Sequence, residues 1–314
     1  MLGYLSARLA GSVITLFCVT TLAFFATALA PGSPASVLLG NMATPERVAA
    51  ISKQLGLDKP LPTRYILWLE QTLRGNLGTS NLSFRPVSEL IAAALPVTLE
   101  LAFLSLILSV LVAFPVGLIL AQMRHCRWTN AAMAAITLGV SVPGFWVGLV
   151  LIVAFAVRLR WLPSGGYVPL SGDPLGNFRH MVLPTMSLAI YLAPALARFV
   201  RVAAQEVLRE EYIDTARSKG ISTVRLLFRH VAPNTLVVTL TYLGLQLGVL
   251  ISGAIVIEVI FALPGVGRLG MSAVLNRDYP VIQGVVLVTA TGYVVVNLVI
   301  DLTYGLIDPR IRAR

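Results

Sequence analysis

Residues 198–233 read RFVRVAAQEVLREEYIDTARSKGISTVRLLFRHVAP. This polar stretch connects two windows free of charged residues and histidines, Met181 to Ala197 and Val231 to Ile257. About 17 to 25 such residues in a helix cross a hydrocarbon core, so the stretch reads as a loop held outside a membrane by a span on each side. Four further windows of this kind occur: Leu9 to Ala30, Leu101 to Met123, Trp128 to Val157 and Tyr279 to Ile300. The sequence therefore predicts an all-α membrane protein with six transmembrane helices. Of these the fourth, Met181 to Ala197, is the shortest and carries Pro184 and Pro194. Composition agrees: 57% of the 314 residues are hydrophobic and 12% charged, against roughly 25% charged in soluble domains, with a mean hydropathy of +0.83.

With six spans both termini share a side, and the distribution of Lys and Arg over alternate loops assigns it. One set of loops, with the termini, holds 13 basic residues, seven of them between Arg198 and Arg229. The short loops of the other set hold five (Arg158, Arg160, Arg179, Arg268 and Arg277), and the remaining six fall in the long first loop. Both termini are predicted cytoplasmic. The net charge of +10 is thereby a consequence of topology, and no nucleic-acid partner is expected. Ala28-Leu29-Ala30 resembles a signal cleavage site, but its 22-residue apolar run exceeds a typical signal core and Pro31 follows directly, so a retained first helix is expected. Cys18 and Cys126 lie on different levels of the membrane, and His125, His180 and His230 on different loops, so neither a disulfide framework nor a metal site is expected.

Within the opening stretch, Glu206, Glu210, Glu211 and Asp214 precede Arg217 and Lys219, the charge order that the helix macrodipole favours. Gly220 supplies a helix stop, and Arg225, Arg229 and His230 lead to Pro233. Two short helices joined by a turn are predicted. Thr215, Ala216, Ser218 and Gly220 are small enough to let another protein approach the backbone; a hairpin lying on lipid headgroups is the alternative.

The pattern extends further. Asp214-Thr215-Ala216, three residues, Gly220, nine residues and His230-Val231-Ala232-Pro233 resembles the EAA loop of ABC importer permeases, with Ala216, Gly220 and Pro233 kept and four other positions replaced. Leu55-Gly56-Leu57-Asp58-Lys59-Pro60-Leu61, Leu95-Pro96-Val97-Thr98-Leu99-Glu100, Phe261 to Gly267, Arg277-Asp278-Tyr279-Pro280-Val281-Ile282-Gln283 and Asp308-Pro309-Arg310-Ile311-Arg312 resemble the dipeptide/oligopeptide/nickel branch of that family. The similarity runs through essentially the whole chain and looks like the first of two paired permeases. It implies a MetI-like, type I transmembrane domain in a bacterial inner membrane, with a first helix at 1–30, an extracytoplasmic helical insertion at 31–96 and a permease core at 97–314 that contains the coupling loop 198–234. It also implies a homologous second permease, two cytoplasmic ATPase subunits that bind ATP and Mg, an extracytoplasmic binding protein, and no cofactor in this chain. The loop helix would be the coupling helix, with Glu211, Tyr212, Asp214, Thr215, Ala216, Arg217, Gly220 and Pro233 at the ATPase contact. Cargo would be short peptides, or alternatively nickel or its chelate, moved by alternating access.

Within the insertion, Thr44, Pro45, Val48, Ile51, Leu55 and Gly56 spell one short helix, and Pro62, Tyr65, Trp68, Leu69, Leu73 and Gly75 a second. They form either a lid on the membrane domain or a docking surface. Gly265 to Gly270 matches Gly-x-Gly-x-x-Gly without a βαβ unit around it and reads as a structural turn. The lysines, Lys53, Lys59 and Lys219, precede neither Ser nor Thr, which excludes a P-loop; no catalytic residue is assigned and no enzyme activity is expected. Asn81-Leu82-Ser83 is a chance match to a glycosylation acceptor. Gly144 and Gly148, then Gly244, Gly248 and Ser252, form small-residue faces suited to close helix packing or to a partner permease. Gln246, Glu258, Asn297 and Asp301 are costly in lipid and are expected to point inward or sit near an interface; Gln246, Gly248, Ser252 and Glu258 are candidates for the pathway or the interface. Two competing readings are an ion-gradient-driven secondary transporter coupled by Glu258 or Asp301, and a scaffold without transport.

Overall fold

The computed structural model describes residues 2–30, 34–40, 43–54, 56–123 and 127–307, without the side chains of 2–7, 34, 37, 38, 140, 241, 245, 247, 249, 251–253 and 300–307. Helices dominate the described residues, and the one β pairing there is an isolated bridge between Thr79 and Pro86. The helices are α1 (Leu2–Ala28), α2 (Pro34–Leu39), α3 (Pro45–Gln54), α4 (Leu61–Leu73), α5 (Val87–Gln122), α6 (Arg127–Ser141), α7 (Gly144–Leu151), α8 (Pro174–Val207), α9 (Glu211–Ser218), α10 (Thr223–Leu226), α11 (Ala232–Ile260), α12 (Val266–Leu275) and α13 (Tyr279–Ile307). Two wider, π-helical segments, Ile152–Arg158 and Leu227–Val231, continue α7 and α10.

Among the described residues, α5, α8 and the segments Arg8–Ala28 of α1 and Tyr279–Val299 of α13 are long and apolar enough to cross a membrane. The third window differs from a single straight span. Its halves, Arg127–Gly139 and Gly144–Arg158, meet at 94°, because Pro143 lacks an amide proton and pushes Val142 out of helical torsions. Counted as one span, the pair is a fifth candidate. The fifth window is occupied by α11, a continuous helix of 29 residues. The two prolines of the fourth window do not break it. Instead α8 runs through both over 34 residues, and 56% of its most apolar segment is enclosed, against 17% for α1. Packing offsets the lost backbone bonds: a Cβ on Gly139 of α6 would stand 2.8 Å from the Pro194 ring, so α6 closes onto α8 where the proline has removed a hydrogen bond.

Contacts divide the chain into two units, Met1–Thr98 with Pro264–Leu298, and Leu99–Leu263 with Val299–Arg314. In the second unit α8 packs against α6, α7 and α11, and a Cβ on Gly117 of α5 would lie 2.7 Å from Val200 of α8. Gly148 is closely but less tightly placed, a Cβ there facing Ser187 of α8 and Phe261 at 3.3 and 3.2 Å. Three buried hydroxyls are satisfied locally: Ser109, Ser187 and Thr239 each donate to the carbonyl four residues back, which hides polar atoms without a partner helix. Leu111 and Phe103, by contrast, are left exposed on α5, as lipid-facing residues are.

In the first unit, Val87, Ile91 and Ala94 of α5 share a core with Val266 and Ala273 of α12 and with Val281 and Val285 of α13. The insertion folds as its sequence spells. The Arg47 amide donates to Thr44 Oγ1, Gly56 and Gly75 take φ of +64° and +81°, and Leu55 lies outside the described residues. Tyr65 and Trp68 of α4 pack on Phe24 of α1 at ring distances of 5.3 Å, while Tyr65 Oη and Thr21 Oγ1 share a hydrogen bond of 2.7 Å. The Gly-x-Gly-x-x-Gly stretch is more than a turn: Gly265 caps α12, and Gly270 brings that helix so close to α13 that a Cβ would meet Val285 at 2.9 Å.

Candidate functional site

The polar stretch between α8 and α11 folds as two short helices, α9 and α10. Eight residues cannot hold a helix by backbone bonds alone, so α9 depends on its neighbours. Ile213 and Ala216, three apart on one face, enter the core formed by Val200 and Ala204 of α8, by Leu226, Leu227 and Val231, and by Leu243 of α11. Ile213 is fully enclosed and Ala216 nearly so. Of the sequence-predicted residues, Ala216 therefore faces inward, whereas Glu211, Tyr212, Asp214, Thr215, Arg217 and Gly220 form the exposed side.

The exposed face is ordered by charge and by its end. Glu211 and Asp214 occupy the first turn and Arg217 the last, and Arg217 Nη1 lies 3.4 Å from Asp214 Oδ1. At the C-terminus the Gly220 amide donates to the Arg217 carbonyl at 2.9 Å and the Ile221 amide to the Ala216 carbonyl at 3.3 Å. This pair of bonds, with Gly220 at φ +75°, is a Schellman stop. A Cβ at Gly220 would touch nothing within 4 Å, so glycine is required there for its torsion rather than for space.

Two residues outside the sequence-based set complete the attachment. Asn234 Nδ2 donates to Tyr212 Oη at 3.1 Å and to the His230 carbonyl at 2.8 Å, fastening α9 to the start of α11 beside Pro233. Ile213 is the second; its signal was an apolar pair spaced three apart in a polar loop. Beneath the hairpin, Gln122 of α5, Gln205 and Arg209 after the α8 core, and Arg217 and Thr223 line a cavity of about 460 Å³.

On α11, Glu258 is fully enclosed and Gln246 and Gly248 are half-buried; the side chains of Ser252 and Asp301 lie outside the described residues. Asn297 of α13 donates to its own helix at the Tyr293 carbonyl, 3.0 Å away. The loop before α8 closes over the end of α11: the Gly166 amide donates to the Phe261 carbonyl at 2.8 Å, and a Cβ on Gly165 would stand 2.5 Å from that same oxygen. From this loop Tyr167 Oη donates to Glu100 Oε2 at 2.8 Å. Burial, then the carboxylate it bonds, pushes the phenol up to about 12.

In the first unit the motifs distant in sequence meet one another. Thr98 Oγ1, from the Leu95 to Glu100 stretch, accepts the Val266 amide at 2.8 Å. Asp278 is buried and accepts from Ser80 Oγ at 2.5 Å and from the Asn81 amide at 3.1 Å, giving Asn81-Leu82-Ser83 a structural role as a turn.

Comparison with known proteins accounts for this convergence. The family described as binding-protein-dependent transport system inner membrane component matches residues 113–313, and its N-terminal companion residues 1–102. A Brucella abortus chain bearing the name of a peptide transport system permease is 41% identical over 305 residues, covering 97% of each chain. The glutathione transport system permease of Salmonella choleraesuis is 39% identical over 313 residues, covering 99% of each. Among solved structures, an inward-facing MetNI methionine ABC transporter shares the fold, with a TM-score of 0.56 at 17% identity over 70% of this chain and 97% of that one. The ion-gradient and scaffold readings give way to these matches. The chain belongs to the family of binding-protein-dependent transport system inner membrane components, as a permease subunit of an ABC importer in the inner membrane.

Proposed function

We propose that this chain is the first of two permeases that together line a pathway for short peptides, and that separate ATPase subunits drive it between inward-facing and outward-facing states by pushing on α9. The anchoring of α9 supports the coupling role. Ile213 and Ala216 lock it into the core shared by α8 and α11, and Asn234 ties Tyr212 to the start of α11. Packed interiors are nearly incompressible, so a displacement applied to the outer face at Tyr212, Asp214, Thr215 and Gly220 is passed to both long helices instead of being absorbed. In this assignment ATP and Mg belong to the ATPase subunits, a binding protein delivers the cargo outside, and this chain contributes no catalytic group.

Peptide cargo is supported by the names of relatives about 40% identical along nearly the whole chain, one a peptide system and one a glutathione system; glutathione is itself a tripeptide. No observation favours nickel in the same way. The test is reconstitution of the importer in vesicles, with labelled dipeptide uptake competed by glutathione, longer peptides and nickel. Peptides should compete and nickel should not. Gly220→Arg should leave insertion and assembly intact while ATP hydrolysis no longer moves peptide; normal ATP-driven uptake by that variant would overturn the coupling assignment.

A further inference from the structure

The first unit contains a cavity of about 370 Å³ where the end of α1, the insertion helices α3 and α4 and the start of α13 come together. Its polar lining is cationic and amide-rich: Lys59, Arg64, Gln54, Gln71 and Gln283, with Trp68 beside them. No carboxylate lines it, and among the described residues neither Lys59 nor Arg64 forms an ion pair. With two cationic side chains and no carboxylate, the net charge of such a lining favours an anion over a cation.

Thr27 lines this cavity and also a second depression that runs along α1 and α13, between Val19, Leu22, Ala23 and Ala26 on one side and Ile282 and Val286 on the other. That groove has an almost wholly apolar surface and lies on two segments long and apolar enough to span the bilayer. At the junction Gln283 Nε2 donates to Thr27 Oγ1 at 2.7 Å. A positive pocket at the end of a span, bordering at Thr27 an apolar furrow along it, matches the two halves of a phospholipid.

We infer that this composite site holds an anionic phospholipid of the leaflet facing the insertion, its phosphate and glycerol head between Lys59 and Arg64 and one acyl chain in the groove between α1 and α13. A soluble anion has no use for the furrow, and an irregular protein segment could not follow it into hydrocarbon, where backbone groups would go unpaired. A zwitterionic lipid would bring an ammonium that no carboxylate meets. The lipid would brace the insertion against the first helix, whatever the cargo.

The test is native mass spectrometry of the assembled importer released from detergent, with phosphatidylglycerol and phosphatidylethanolamine offered together. The intact complex should retain phosphatidylglycerol preferentially. Lys59→Gln with Arg64→Gln should reduce that preference about tenfold or more, whereas Arg47→Gln with Lys53→Gln, an equal loss of charge on α3 outside the cavity, should not. Ala26→Phe, at an exposed position that projects into the furrow, should lower lipid retention while binding of free glycerol phosphate persists. Equal retention of the two lipids by the wild type, or an unchanged preference in the Lys59 and Arg64 variant, would overturn the site. Full lipid retention in Ala26→Phe would overturn the acyl-chain groove and leave a site for soluble phosphate alone.

Discussion

Ile213 carries the seating of α9, and truncating it in steps gives a graded measure of what seating does. The side chain is fully enclosed in the core between α8 and α11, so Ile213→Val costs about 1 kcal/mol and Ile213→Ala about 2–5 kcal/mol. An isolated helix of this length has negligible stability, so the cost falls mainly on the equilibrium between docked and undocked α9. At about 1.4 kcal/mol per tenfold, Val lowers the docked ratio about fivefold and Ala about thirtyfold or more. Neither change touches the exposed residues that an ATPase would meet. In proteoliposomes, hydrolysis should therefore continue while peptide moved per ATP falls slightly for Val and steeply for Ala. Amide exchange over residues 211–221 should quicken in the same order. Leu111→Ala, on the exposed face of α5, should change neither. An unchanged transport ratio in Ile213→Ala, accompanied by fast exchange at residues 211–221, would refute the claim that a seated α9 transmits the stroke.

Other perturbations separate backbone, packing and charge. Gly220 sits at φ +75° in open space, so Gly220→Val should cost about 1–2 kcal/mol from torsion alone and Gly220→Asn clearly less; amide exchange at Ile221 reads the difference, and equal effects would refute a torsional cause. Gly165→Ala places a methyl 2.5 Å from the Phe261 carbonyl oxygen, so displacing the loop should cost about 1–3 kcal/mol of stability, read as a lower thermal midpoint of the purified protein. Asp278→Asn replaces an acceptor of two hydrogen bonds by a group with one oxygen and one donor, costing about 1–3 kcal/mol; proteolysis between residues 79 and 86 should accelerate. Tyr167→Phe should remove one step, near pH 12, from the ultraviolet titration of the tyrosines. Because burial, and then the Glu100 carboxylate, raise the phenol from 10.0 to about 12, the stability tied to its protonated form is complete below about pH 10 and lost as pH rises through about 12.

The helical, membrane-spanning class was legible because lipid solvation writes itself as long uncharged windows, which need no knowledge of neighbours. The breaks within windows were not legible from the same signal. Pro143 bends one window by 94°, whereas Pro184 and Pro194 leave α8 continuous. At Pro194 the helix is supported from outside: Gly139 closes on that ring, a contact between residues of separate helices that no local pattern reports. Helix α12 was missed for a related reason. Its glycines read as a turn from composition, and only the approach to Val285 explains why small residues stand in a helix there.

At the candidate site, the sequence disclosed the outer face of α9 better than the means of its attachment. Charge order and Gly220 are local signals, set by the helix dipole and by backbone torsion, so the helix and its stop could be read directly. Ala216 belongs to the same small-residue set, yet it faces the core, since an eight-residue helix must spend one side on burial to exist at all. Asn234 carried no local signal; its role arises because the first turn of α11, which holds Pro233, places the Asn234 amide group where it reaches both the His230 carbonyl and Tyr212. The small residues conspicuous in the loop thus divide by burial: Thr215, Ser218 and Gly220 are exposed, while Ala216 and its neighbour Ile213 hold the helix against the bundle. A coupling element needs both halves, for an outer face without an anchor would slide, and an anchor without an accessible face would receive no push.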